Sequence, residues 1–160
     1  MSILKAFLVI FFFSLGINSL TAAELKFGML KVGAAKEGMN PPDAMLVRDN
    51  GVRRFSGIHD SLYVRSIVIN NGTIKAALVS IDLGKVPGGD EFPQRVAAAV
   101  GIQPEHLYIS ATHDHNTARP PDGDTSTAYY KQIEQATIKS IQAAEKKLQP
   151  ARVGYAKGKA

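Results

Sequence analysis

Apolar and polar residues alternate along much of the chain in short runs that predict strands, with two stretches of helical spacing between them. Leu62 to Ile69 and Thr73 to Ile81 are two β-rich runs separated by Asn71-Gly72. An Asn-Gly pair in that setting predicts a tight hairpin in which both turn residues take positive φ. The second run is apolar almost throughout after Lys75, the pattern of a central strand covered on both faces. Upstream, Met29 to Ala34 reads as a first, edge strand. Pro41-Pro42 then rules out both a helix and a central strand, and the polar Arg48 to Gly57 reads as a surface loop.

Downstream, Phe92, Val96 and Val100 fall four apart, so Asp90 to Val100 is predicted as a short helix. Asp90 supplies its cap, Pro93 sits in its first turn and Gly101 stops it. His106 to Ala111 returns to strand pattern. Thr125 to Leu148 carries Tyr129, Ile133, Ala136, Ile141, Ala144 and Leu148 as one helical stripe of core character. Lys146 and Lys147 suit the negative end of its dipole. Pro150 ends this helix, and Ala151 to Ala156 reads as a last strand.

This order implies an α/β fold: a mixed sheet with a hairpin and a right-handed βαβ unit from Ile74 to Ile109, helices packed on the sheet. In such sheets ligands bind beyond the carboxyl ends of the strands. Asp82 stands at the end of one parallel strand. Thr112-His113-Asp114-His115 follows the other. Residues two apart in extended backbone point the same way, so His113 and His115 can aim two imidazoles at one divalent metal. A solvated pair of loop histidines, or one core and one surface histidine, fits the same spacing. Asp82 taken alone also fits a turn or cap aspartate.

Around this centre, His59 beside Asp60 reads as a turn histidine, or as a group orienting a ligand. Arg65 reads as the partner of a buried carboxylate. Ser80, Ser110 and Thr112 lack an adjacent base and are not read as nucleophiles. A metallo-β-lactamase pattern fails, because the places after the histidine pair hold Thr117 and Ala118.

Composition changes the picture at the N-terminus. Met1 to Lys5 is short and positive, Ala6 to Ile17 is apolar, and Thr21-Ala22-Ala23 supplies small residues for cleavage. Residues 1–23 therefore read as a secretory signal peptide, which implies a secreted or periplasmic protein. The apolar run is short of the roughly 20 residues of a membrane span. Cysteine is absent, so there is neither disulfide nor thiolate chemistry. The formal charge is +5, but the basic residues are scattered along the sequence. No nucleic-acid partner is expected, and neither a nucleotide fingerprint nor an internal repeat is present.

Five segments together resemble the N-terminal region of the neutral/alkaline, non-lysosomal ceramidases. They are Val32-Gly33-Ala34-Ala35-Lys36 leading to Pro41-Pro42, and Gly57-Ile58-His59-Asp60-Ser61-Leu62-Tyr63-Val64-Arg65. Leu78-Val79-Ser80-Ile81-Asp82, Ser110-Ala111-Thr112-His113-Asp114-His115 and Leu148-Gln149-Pro150-Ala151-Arg152-Val153-Gly154-Tyr155 complete the set.

The resemblance implies a zinc-dependent amidohydrolase that cuts the N-acyl bond of ceramide or a related lipid amide. It makes His113 a Zn2+ ligand and places His115 in the active site as a catalytic residue. It gives Asp82 a part in holding a second divalent cation (Mg2+ or Ca2+). A lipid substrate also brings peripheral membrane contact; oligomeric state is left open. Asn116-Thr117-Ala118-Arg119-Pro120 replaces the family's glycine-rich loop at the site mouth, which puts ceramide itself in question. The family's other zinc ligands and its serine have no counterpart here. Residues 24–160 are accordingly expected to be the incomplete N-terminal part of a larger hydrolase domain, inactive alone. The alternatives are a non-catalytic secreted binding or surface protein of the same fold, and a hydrolase of small amides or esters.

Overall fold

A computed structural model describes residues 29–46, 55–118, 120 and 124–158. The signal-peptide segment 1–23, and most of the loop expected over 48–57, lie outside the described residues. Seven elements frame the fold: β1 (Lys31–Gly38), β2 (Tyr63–Asn70), β3 (Lys75–Ile81), α1 (Glu91–Val100), β4 (Leu107–Ala111), α2 (Ala128–Glu145) and β5 (Gln149–Pro150). They form one five-stranded sheet in the order β4-β3-β2-β1-β5. β1, β2 and β3 pair antiparallel, and β5 pairs antiparallel with β1. β3 and β4 run parallel through the α1 crossover, in the register Ala77↔Leu107 to Ile81↔Ala111. The mixed α/β sheet with helices packed upon it is the architecture that the residue pattern implies.

Both helices cover the same face. Val64, Val68, Ala77, Val79 and Ile81 point inward from β2 and β3 and meet Phe92 and Val96 of α1 and Tyr129, Ile133 and Ile141 of α2, all buried. Burial of apolar area at about 25 cal/mol per Å² holds this layer together. Where the two helices touch, Phe92 meets Tyr130 edge to face at 5.9 Å. Arg95 of α1 reaches Glu134 at 3.0 Å and the Tyr130 hydroxyl. α2 lies so close to β1 that a Cβ at Gly33 would stand 2.0 Å from the Ala144 carbonyl oxygen. Only glycine admits that approach.

Several expectations need correction. β3 is central in pairing but, among the described residues, is covered on one face only: Leu78 is 47% exposed. β1 is not an edge strand, because β5 pairs with Lys31 and Val32. No strand forms over Ala151 to Ala156; β5 occurs earlier and carries Pro150 itself. The hairpin turn is not the two-residue form. Gly72 has φ 90, but His113 is the only non-glycine with positive φ among the described residues. Instead, the Asn71 side chain accepts from the amides of Thr73 and Ile74 at 3.0 and 2.7 Å and closes a wider turn. Asp90 gives α1 no side-chain cap, whereas Thr127 caps α2 by accepting from the Tyr130 amide at 3.2 Å.

Candidate metal-binding rim

The parallel pairing sets the rim. β3 and β4 end side by side, and the loops after them stay joined: the Thr112 amide donates to the Ile81 carbonyl at 2.9 Å, and the Asp114 amide to the Leu83 carbonyl at 3.2 Å. His113 lies between these two bonds and takes φ 61, the left-handed region that β-carbon residues avoid. The two imidazoles therefore do not converge through extended backbone, as the spacing suggests. They converge through a local reversal.

The convergence itself is tight. His113 Nε2 and His115 Nε2 lie 3.2 Å apart, with the ring planes at 78°. His113 Nδ1 lies 2.8 Å from the Gly84 carbonyl oxygen. A carbonyl only accepts, so Nδ1 carries the proton and Nε2 of the neutral ring presents its lone pair. Two imidazole nitrogens at 2.0–2.1 Å from a tetrahedral zinc ion stand about 3.3–3.4 Å from one another. The observed spacing is that of a hydrogen bond in which His115 Nε2–H donates to His113 Nε2, and it is close to that of two positions in such a shell, which His115 could fill only after giving up this proton.

Asp82 shares the rim but faces another way. Its Oδ1 and Oδ2 both accept from Arg65 Nη1 at 2.7 Å, and Oδ2 also accepts from the Tyr63 amide at 3.0 Å. The carboxylate side chain is 16% exposed and the guanidinium 50%. The expected pairing of Arg65 with a carboxylate is thus present. Asp82, Arg65, Asp114, Asn116, His59 and Asp60 line a polar cavity of about 510 Å³. His113 and His115 do not line it. β3 and β4 therefore bring Asp82 and the histidine pair to one end of the sheet, but the side chains stand on different walls. Among the described residues no three His, Cys, Asp or Glu side chains gather into a metal-holding group. His59 bonds Asp60 at 3.1 Å, both side chains exposed, and stays apart from the histidine pair. The Gly84 carbonyl is the site partner that sequence reasoning misses, because a backbone acceptor leaves no residue-type signal.

No protein-family model matches the chain, and no curated protein sequence matches it. Solved structures do. The chain resembles a ceramidase complexed with C2, at TM-score 0.61 and 19% identity over 76% of this chain and 22% of that one. It resembles the neutral ceramidase from Pseudomonas aeruginosa at TM-score 0.62, 19% identity and the same coverage. The likeness is one of fold. The chain spans about a fifth of the length of those structures.

Proposed function

We propose that this chain is the N-terminal part of an exported, zinc-dependent amidohydrolase acting on a lipid amide of the ceramide type. His113 is a zinc ligand in this reading. His115, whose Nε2 faces the same point, is the active-site residue beside it. The observation that carries the reading is the 3.2 Å approach of two Nε2 atoms, one of them fixed as an acceptor by the Gly84 carbonyl. The likeness in fold to neutral ceramidase supports the reaction class. Zinc would supply a bound water with a pKa near 7 and polarise the amide carbonyl. The chain's own residues hold the imidazoles in register for it. A second divalent cation at Asp82 requires Arg65 to move off the carboxylate first.

One observation favours a second reading, a non-catalytic secreted module of the same fold: the described residues offer no third ligand. Calorimetric titration of Zn2+ into the protein purified from its own host, which in the enzyme reading supplies the ligands that residues 1–160 lack, separates the two. The enzyme reading expects one ion per chain, with binding abolished in His113→Ala and the fold intact by circular dichroism. Absence of heat, or an unchanged isotherm in His113→Ala, favours the module. Hydrolysis of a long-chain N-acyl amine by the protein purified from its own host, lost on chelation, tests the reaction itself.

A further inference from the structure

The loop between β3 and α1 supplies half of the histidine geometry, since its Gly84 carbonyl oxygen lies 2.8 Å from His113 Nδ1. Gly84 has no side chain to fix its own peptide plane, so the aim of that carbonyl depends on what holds the loop on either side. On the near side Leu83 is fully buried, and its carbonyl accepts from the Asp114 amide at 3.2 Å. On the far side Pro87 is buried, with φ set by its ring, and Gly88 follows at φ 70. Gly88 rests against the Tyr130 side chain of α2: a Cβ there would stand 2.5 Å from the hydroxyl oxygen and 3.0 Å from Cε2 of the ring. Tyr130 is 2% exposed and has little room to yield. Phe92 packs against its ring edge to face, and Arg95 donates to its hydroxyl. Glu134 holds Arg95 in turn, at 3.0 Å. Phe92 and Arg95 belong to α1, the element into which the loop runs, so loop, helix and Tyr130 close into one frame.

We propose that Gly88 and Tyr130 are positioning residues for His113. Their contact pins the loop beyond Gly84 and keeps the Gly84 carbonyl aimed at His113 Nδ1, which in turn leaves Nε2 as the acceptor. A side chain at position 88 is strained twice, by its torsion and by the Tyr130 hydroxyl. Gly101 separates the two costs: its φ is 62, yet a Cβ there would meet open space. The inference rests on the reading of His113 as a site residue, but it concerns where one proton sits, and metal-free protein reports that. A failed zinc titration would remove the metal and leave the coupling. Loss of the coupling would leave the zinc titration untouched.

Nitrogen-15 NMR of the histidine-labelled, metal-free protein from its own host tests it, at a pH where the rings are uncharged. Gly88→Ala should shift the His113 tautomer ratio about fivefold toward Nε2–H, as expected for the loss of one hydrogen bond. Gly101→Ala, strained alike but without a neighbour to meet, should leave the ratio unchanged. Adding Tyr130→Phe to Gly88→Ala removes the nearest clashing atom and should recover about half of the shift or more. Tyr130→Leu withdraws the ring from beneath Gly88 without touching the loop's own torsions. It should shift the ratio in the same direction, and it serves as the second variant if Gly88→Ala fails to fold. The proposal is overturned if folded Gly88→Ala or Tyr130→Leu keeps the parent ratio. It is equally overturned by a shift of the same size in Gly101→Ala, or by a double variant that recovers nothing.

Discussion

The His113 ring donates from Nδ1 to the Gly84 carbonyl 29 residues earlier, and so couples the loop after β4 to the loop after β3. One hydrogen bond thereby sets both the orientation of the ring and which nitrogen is free. The uncharged His113 ring should hold its one proton on Nδ1. Long-range nitrogen-15 NMR of the two rings checks this: an Nε2–H tautomer for His113 would break the link to Gly84 and remove the basis for a metal at Nε2.

The Arg65–Asp82 pair is predicted to be structural. Arg65→Leu leaves a largely buried carboxylate with only the Tyr63 amide for company. Because Arg65 is half exposed, solvent screens part of the loss, and the expected cost is about 1–2 kcal/mol. Asp82→Asn, which can still accept from the Tyr63 amide, should cost less. Urea unfolding of both variants measures the difference, and equal stability of Arg65→Leu and the parent chain would refute the assignment.

Gly33→Ala should be among the most damaging single changes. The added methyl meets the Ala144 carbonyl at 2.0 Å and the Lys147 backbone at 2.9 Å, neither of which is a flexible side-chain tip. Relief requires the end of α2 to lift from β1, at about 3 kcal/mol or more. A thermal midpoint within a degree or two of the parent would contradict the close packing described.

Stability should decline on the alkaline side through Tyr129 and Tyr130. Burial pushes both phenols above their ordinary pKa; at Tyr130 the Arg95 guanidinium opposes the shift, and Glu134 and Glu91 add to it. A raised folded pKa means that the unfolded chain loses its proton first. The contribution is therefore intact below the unfolded value of about 10 and falls as pH climbs toward the folded one. Tyr129 should steepen the loss by at most about 1.4 kcal/mol per pH unit once the pH is well above 10, and Tyr130 acts in the same direction. Tyr129→Phe gives up the hydroxyl's bond to the Met39 carbonyl, costing about 1 kcal/mol, but should flatten that slope. Denaturation midpoints between pH 9 and 11 read both effects.

Strand and helix identities were legible because period-2 and period-3.6 patterns survive in single residues. Phe92, Val96 and Val100 mark α1, and Tyr129, Ile133 and Ile141 mark α2. The openness of the second face was not legible. Leu78 and Tyr108 look as apolar as Val79 and Leu107, and periodicity cannot say whether an apolar row has been covered. The histidine convergence was anticipated for a reason that does not hold, since spacing assumed extended backbone where the chain turns left-handed. Asp82 was placed at the correct end of the sheet, but its orientation depends on Arg65 and on the Tyr63 amide, contacts spread over neighbouring strands.

The backbone of His113 has an evolutionary consequence. An imidazole-bearing residue at φ 61 is held against its own torsional preference, at roughly 1–2 kcal/mol. His113→Gly should consequently relax that torsion and offset some of the stability lost with the ring's bond to Gly84. Drift toward sturdiness alone would favour glycine or asparagine at this position, so a histidine kept there across related chains would be the mark of selection acting on its chemistry.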